Sequence, residues 1–116
     1  MAVTVTIWHN PRCTKSRETL ALLEARGIAP EVRLYLKDQP SAEEITEALQ
    51  LLGQPAIALV RTKEAAFRDL GLTKDAPDAT LIAAMAEHPV LIERPVVFAN
   101  GKAALGRPPE AVLEIL

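Results

Sequence analysis

Nine residues near the start of the chain, His9-Asn10-Pro11-Arg12-Cys13-Thr14-Lys15-Ser16-Arg17, join two stretches of different periodicity. Residues 3–8 alternate apolar and polar side chains and predict a strand. Residues 18–26 are rich in Leu and Ala, are followed by Gly27, and predict a helix. A strand that turns into a helix over so short a link places Cys13 close to the helix N-terminus. Unpaired amide N–H groups and the positive end of the helix dipole converge there, which favours a thiolate or a bound anion. A cysteine so placed has its pKa lowered from about 8.5 into the range of roughly 3.5–7.5. Cys13 is the only cysteine of the chain. A lone cysteine is often a small buried hydrophobe. Here Pro11, Arg12, Thr14, Lys15 and Ser16 make a polar, cationic turn instead of apolar surroundings, and the stretch predicts a reactive thiol.

The remaining elements fit around this unit. Val32, Leu34 and Leu36 alternate with Arg33, Tyr35 and Lys37 and predict a second strand. Strand–helix–strand at this spacing implies a right-handed crossover and a parallel pair. Ser41-Ala42-Glu43-Glu44 has capping-box form and opens a helix that Gly53 closes, with Ile45, Leu49 and Leu52 on one face. Short helices are expected over 56–60, over 63–70 behind a Thr62 cap, and over 79–87 behind an Asp78 cap. Residues 95–99 and 102–105 flank Asn100-Gly101 and predict a hairpin. Pro108-Pro109 then sets the start of a last helix that runs to Leu116. The order βαβ, helices, ββα is that of an α/β thioredoxin-like fold, a mixed four-stranded sheet with a helical insertion between its βαβ and ββα halves. No linker or repeat divides the 116 residues, so a single domain is expected.

What the chain lacks narrows the function classes. A net charge of −2 with no run of basic residues argues against a nucleic-acid surface. No stretch approaches the roughly eighteen apolar residues of a membrane helix, and no signal-peptide pattern opens the chain. A soluble cytoplasmic protein without membrane or nucleic-acid partners is expected. One cysteine excludes an internal disulfide and argues against a cysteine-based zinc site, so no metal is expected.

Arg61, Arg94 and Arg107 stand at expected element boundaries, the last two each before a proline that pushes them out of the helical region. A guanidinium fork binds oxyanions in bidentate fashion, so three such arginines converging on one point would make a clamp. The stretch H-N-P-R-C-T-K-S-R, then Arg61, then E-R-P at 93–95 and G-R-P at 106–108, resembles the glutaredoxin-coupled arsenate reductases of the ArsC family. The segment H-P-V-L-I-E-R-P-V-V at 88–97 shares that likeness, which runs over nearly the whole chain. Thr14-Lys15 stands where the family usually has Gly-Thr, and the sequence stops at Leu116 where many members carry an extension. Both features resemble a short ArsC-like branch.

The resemblance implies that Cys13 attacks arsenate and that Arg61, Arg94 and Arg107 hold the oxyanion. It implies that His9 lies near the thiol and helps keep it ionised, and that Pro95 is the cis-proline facing the site. Asn10, Ser16 and Arg17 are expected to support the first helical turn and the thiolate. No bound cofactor is implied. A chain with one thiol needs an external second thiol, glutathione in the family, with glutaredoxin completing the cycle. Two other readings share the fold or the thiol. One is a regulator like the Spx proteins, which bind RNA polymerase, although Ser16 removes the Cys-x-x-Cys switch that many of them carry. The other is a glutathione-linked thiol transferase without arsenate activity, for which Cys-x-x-Ser suffices. A low-molecular-weight phosphatase is set aside, because its Cys-x5-Arg loop would need an arginine where Thr19 stands.

Overall fold

The computed structural model describes residues 4–116, which group into two compact units. The first holds the chain up to Asp38 together with Arg94–Leu116, and the second is Gln39–Glu93.

In the first unit, β1 (Thr6–Trp8), α1 (Thr14–Ala25) and β2 (Glu31–Arg33) make the βαβ half, and β3 (Val96–Ala99) and β4 (Lys102–Leu105) make the hairpin. The strands lie in the order β2-β1-β3-β4. β1 and β2 are parallel, and β3 is antiparallel to both of its neighbours. This is the mixed four-stranded sheet of the thioredoxin-like fold. Asn100 (φ 55°) and Gly101 (φ 71°) both adopt left-handed backbone, as a two-residue type I′ hairpin turn requires. Buried Val5, Ile7, Leu23, Val97, Ala99, Val112 and Ile115 form the core under the sheet. Burying side chains such as Ile7 and Leu23 fully is worth roughly 1.5–3 kcal/mol each.

Val3 of the first expected strand lies outside the described residues. Other details of this unit differ from the sequence reading. α1 begins at Thr14 and not at 18, so Cys13 itself is the N-cap residue, with extended backbone (φ −95°, ψ 124°). The second strand stops at Arg33, because the amides of Lys37 and Asp38 both donate to the carbonyl of Leu34 and turn the chain. Its pattern also reverses: Val32, Leu34 and Leu36 are 43%, 36% and 41% exposed, whereas Tyr35 is 1% exposed. β2 is a sheet edge, and a chain that leaves the extended state cannot carry a two-residue alternation onward. Finally, the last segment, Pro109–Ile115, is a 3₁₀-helix. A piece under two α-helical turns forms few i→i+4 bonds.

The second unit is the helical insertion. It comprises α2 (Ala42–Leu52), α3 (Ala65–Asp69), α4 (Asp78–Glu87) and the 3₁₀ turns Ala56–Leu59 and Pro89–Leu91. The capping box forms as expected. Ser41 Oγ accepts the Glu44 amide at 3.1 Å, and Glu44 Oε1 accepts the Ser41 amide at 3.0 Å. Gly53 ends α2 in left-handed backbone. Ile45, Leu49, Leu81 and Met85 are buried within the α2 and α4 pair. Thr62 does not cap α3: the Glu64 amide donates to the Arg61 carbonyl at 3.1 Å, and the helix begins only at Ala65. Asp78 is the first residue of α4, and Pro77 takes the cap position. Among the described residues, no helix is long and apolar enough to cross a membrane.

Candidate active site

One row of the sheet assembles the site. Trp8 at the end of β1 lies opposite Val96 at the start of β3, and Val96 lies opposite Leu105 at the end of β4. The loop to Cys13 leaves after Trp8, Arg94-Pro95 enters before Val96, and Gly106-Arg107 leaves after Leu105. All three segments therefore meet at one end of the first unit.

The cysteine loop is laced by its own polar groups. Asn10 Oδ1 accepts the Arg12 amide at 3.0 Å, and the Asn10 carbonyl accepts the Cys13 amide at 3.0 Å. Arg17 Nη1 donates to the Pro11 carbonyl at 3.1 Å and Nη2 to Thr14 Oγ1 at 3.3 Å, which ties the loop to the first turn of α1. Ser16 is fully buried. Its Oγ accepts the Asn10 amide at 3.0 Å and lies 2.7 Å from His9 Nδ1. His9 is 6% exposed. Burial, and then the charge of Arg17, hold its pKa below the ordinary 6.5. The ring is thus neutral near pH 7, and it engages the loop through Ser16.

Cys13 is 8% exposed. Burial pushes its thiol pKa up, but the Ser16 amide, the Arg94 charge, the Lys15 amide and the Arg107 charge together outweigh that and hold it below the ordinary value. The Ser16 and Lys15 amides lower it as hydrogen-bond donors in the first turn of α1, which favour the charged sulfur. Arg107 Nη2 lies 3.9 Å from the sulfur. Its Nε donates to the Arg94 carbonyl at 2.9 Å. Beside it, the Gly106 amide donates to the Pro95 carbonyl at 3.0 Å. Both Arg94–Pro95 and Arg107–Pro108 are cis.

The first unit thus brings His9, Asn10, Cys13, Ser16, Arg17, Arg94, Pro95 and Arg107 into one neighbourhood. Arg61 belongs to the second unit. There its Nη1 donates to the Val90 carbonyl at 3.3 Å, and its Nη2 lies 3.3 Å from Glu64 Oε2. The sequence reading named Lys15 only as part of the cationic turn around Cys13. Its ammonium does pair with Glu18 at 3.6 Å, yet its amide helps hold the thiolate. The signal was available: with Cys13 as N-cap, Lys15 and Ser16 occupy the two positions whose amides face a cap side chain. A thiolate with a guanidinium at its side can attack an electrophilic centre that carries anionic oxygens.

Residues 8–115 match the family model described as ArsC family. The uncharacterized protein YfgD of Escherichia coli (strain K12) is 49% identical, over 100% of this chain and 99% of its own length. An arsenate reductase of Haemophilus influenzae is 48% identical, over 98% of this chain and 100% of its own. The solved structure of an arsenate reductase from Vibrio cholerae superposes with a TM-score of 0.96 at 55% identity, with 100% of both chains covered.

Proposed function

The chain belongs to the ArsC family, and from that premise we propose that it reduces arsenate to arsenite, with Cys13 as nucleophile and an external thiol as reductant. The observation that carries this reading is the lowered pKa of Cys13 beside the Arg107 guanidinium, 3.9 Å from its sulfur. Arsenate has the shape and charge of phosphate, and a guanidinium binds both. Arsenic(V) alone is readily reduced by thiols, so selectivity comes after binding.

In this reading Arg107 and Arg94 balance the charge of the oxyanion while the Cys13 thiolate forms a bond to arsenic. One arsenate oxygen takes up protons and leaves as water. A second thiolate then attacks the Cys13 sulfur. The sulfur–sulfur bond forms, the sulfur–arsenic bond breaks, and its electron pair stays on arsenic, which becomes arsenic(III). With one cysteine in the chain, that second thiol comes from outside. Glutathione is the proposed co-substrate, and glutaredoxin the proposed partner that reduces the mixed disulfide left on Cys13. Arg61 enters as a third oxyanion-binding arginine on the family motif alone, and an Arg61→Ala variant should raise the KM for arsenate.

The test is NADPH consumption coupled through glutathione reductase, glutathione and glutaredoxin, with arsenate as substrate. Turnover should require every component and vanish in Cys13→Ser, whose hydroxyl is far less acidic than a thiol. Robust turnover on thioredoxin without glutathione would overturn the glutathione cycle. Activity on a glutathionylated disulfide with none on arsenate would favour the thiol transferase. No activity with any donor, together with binding to RNA polymerase, would favour the regulator.

A further inference from the structure

We propose that Gly106 is a positioning residue for the reaction at Cys13: the absence of a side chain there lets the Gly106-Arg107 segment close onto Thr19 and Pro95 and so aims Arg107 at the sulfur. The inference deepens the arsenate reading, but its experiment follows the thiol alone and holds or fails whatever the substrate is.

A Cβ added at Gly106 would collide with Thr19 Oγ1 and would stand 2.7 and 3.1 Å from Cγ and Cδ of the Pro95 ring. Ordinary carbon–carbon contact begins at about 3.5 Å. Gly106 does not use left-handed backbone, unlike Gly27, Gly53, Gly71 and Gly101. Space, and not backbone conformation, is therefore what demands a glycine here. Neither obstacle can step aside. Thr19 is fully buried in α1 and its hydroxyl donates to the Lys15 carbonyl at 2.8 Å, a bond that turning the side chain away would break. Pro95 is a buried ring.

The segment that has to yield is the one that carries Arg107. Two bonds fix that segment to the start of the hairpin: the Gly106 amide to the Pro95 carbonyl at 3.0 Å, and Arg107 Nε to the Arg94 carbonyl at 2.9 Å. With Nε so engaged, the far edge of the guanidinium comes to 3.9 Å from Cys13 Sγ. A side chain at 106 pushes this segment outward and takes Nη2 away from the sulfur.

The experiment is a titration of the Cys13 thiolate by its absorbance near about 240 nm in wild type, Gly106→Ala, Arg107→Ala and the double variant. Losing a cation this close should raise the apparent pKa in Arg107→Ala. Gly106→Ala should give a rise approaching that, and the double variant should rise no further than Arg107→Ala alone. A lowered melting temperature with an unmoved pKa, or single effects that add, would overturn the proposal. If Gly106→Ala fails to fold, Gly106→Ala with Thr19→Ala removes one of the two obstacles and leaves the Pro95 ring. Its pKa should then exceed that of Thr19→Ala, and equality would overturn the proposal.

Discussion

Arg107 Nη2 stands 3.9 Å from Cys13 Sγ, although 94 positions separate the two in the chain. The same guanidinium donates from Nε to the Arg94 carbonyl at 2.9 Å, so two of its edges act at once. Lysine has a single nitrogen head and cannot reproduce both contacts. Arg107→Lys should therefore keep the charge yet lower kcat/KM for arsenate by roughly tenfold or more, the size of one lost charge-assisted hydrogen bond. Steady-state kinetics at fixed pH would read the loss, and an unchanged kcat/KM would reject the contact as functional.

Activity should rise with pH along the ionisation of Cys13 and level off below the ordinary thiol value, because the native pKa is depressed. Stability should follow the same group. Its contribution is complete above the unfolded thiol pKa of about 8.5 and is lost as pH falls through the native value. Denaturation midpoints recorded against pH should lose that slope in Cys13→Ser. A slope unaltered by the substitution would contradict a depressed thiol.

His9 makes a second pH-dependent contribution of its own. Its native pKa lies below 6.5, with burial as the larger cause, so the folded state prefers the neutral ring. That preference stabilises the protein fully above about 6.5 and is lost as pH falls from there through the native value. His9→Asn should flatten the stability curve in mildly acidic buffer. It should also leave the Cys13 titration nearly in place, since a neutral ring lends no charge to the sulfur. A large rise of the thiol pKa in that variant would show an imidazolium at work.

In the second unit, Ser41→Ala removes the acceptor of the Glu44 amide and half of the capping box. The expected cost is about 1 kcal/mol, read as a lower midpoint in urea unfolding. Ser41→Asp should restore it, because an aspartate can accept the same amide.

The parts that could be read from the sequence were those governed by local chemistry. Asn100-Gly101 demanded a type I′ turn, Ser41 with Glu44 demanded a helix start, and the passage from β1 into α1 put Cys13 at a helix end. What could not be read depended on partners far away in the chain. The alternation of Val32, Leu34 and Leu36 predicted a strand but not which face would be covered, and Tyr35 took the buried place. Thr62 and Asp78 had the right composition for caps, but a turn at Arg61–Glu64 and the carbonyl of Pro77 took the positions instead. Gly106 looked like a motif letter, and its meaning came only from Thr19 and Pro95 standing against it. Arg94 and Arg107 were legible as arginines before prolines. That Arg107 would be held by the Arg94 carbonyl was not, because a backbone acceptor leaves no mark in composition.

The pairing of Val96 with Leu105 has a consequence at the opposite end of the hairpin. Asn100 and Gly101 are the only residues between the paired Ala99 and Lys102, so their count sets the phase in which the two strands run back. One residue more in that turn would slide β4 by one place against β3 and turn its side chains to the other face. Arg107 would then pass out of step with the Arg94 carbonyl, with neither arginine altered. The turn works as a ruler: it touches no part of the thiol, and it measures out where Arg107 meets the Arg94 carbonyl.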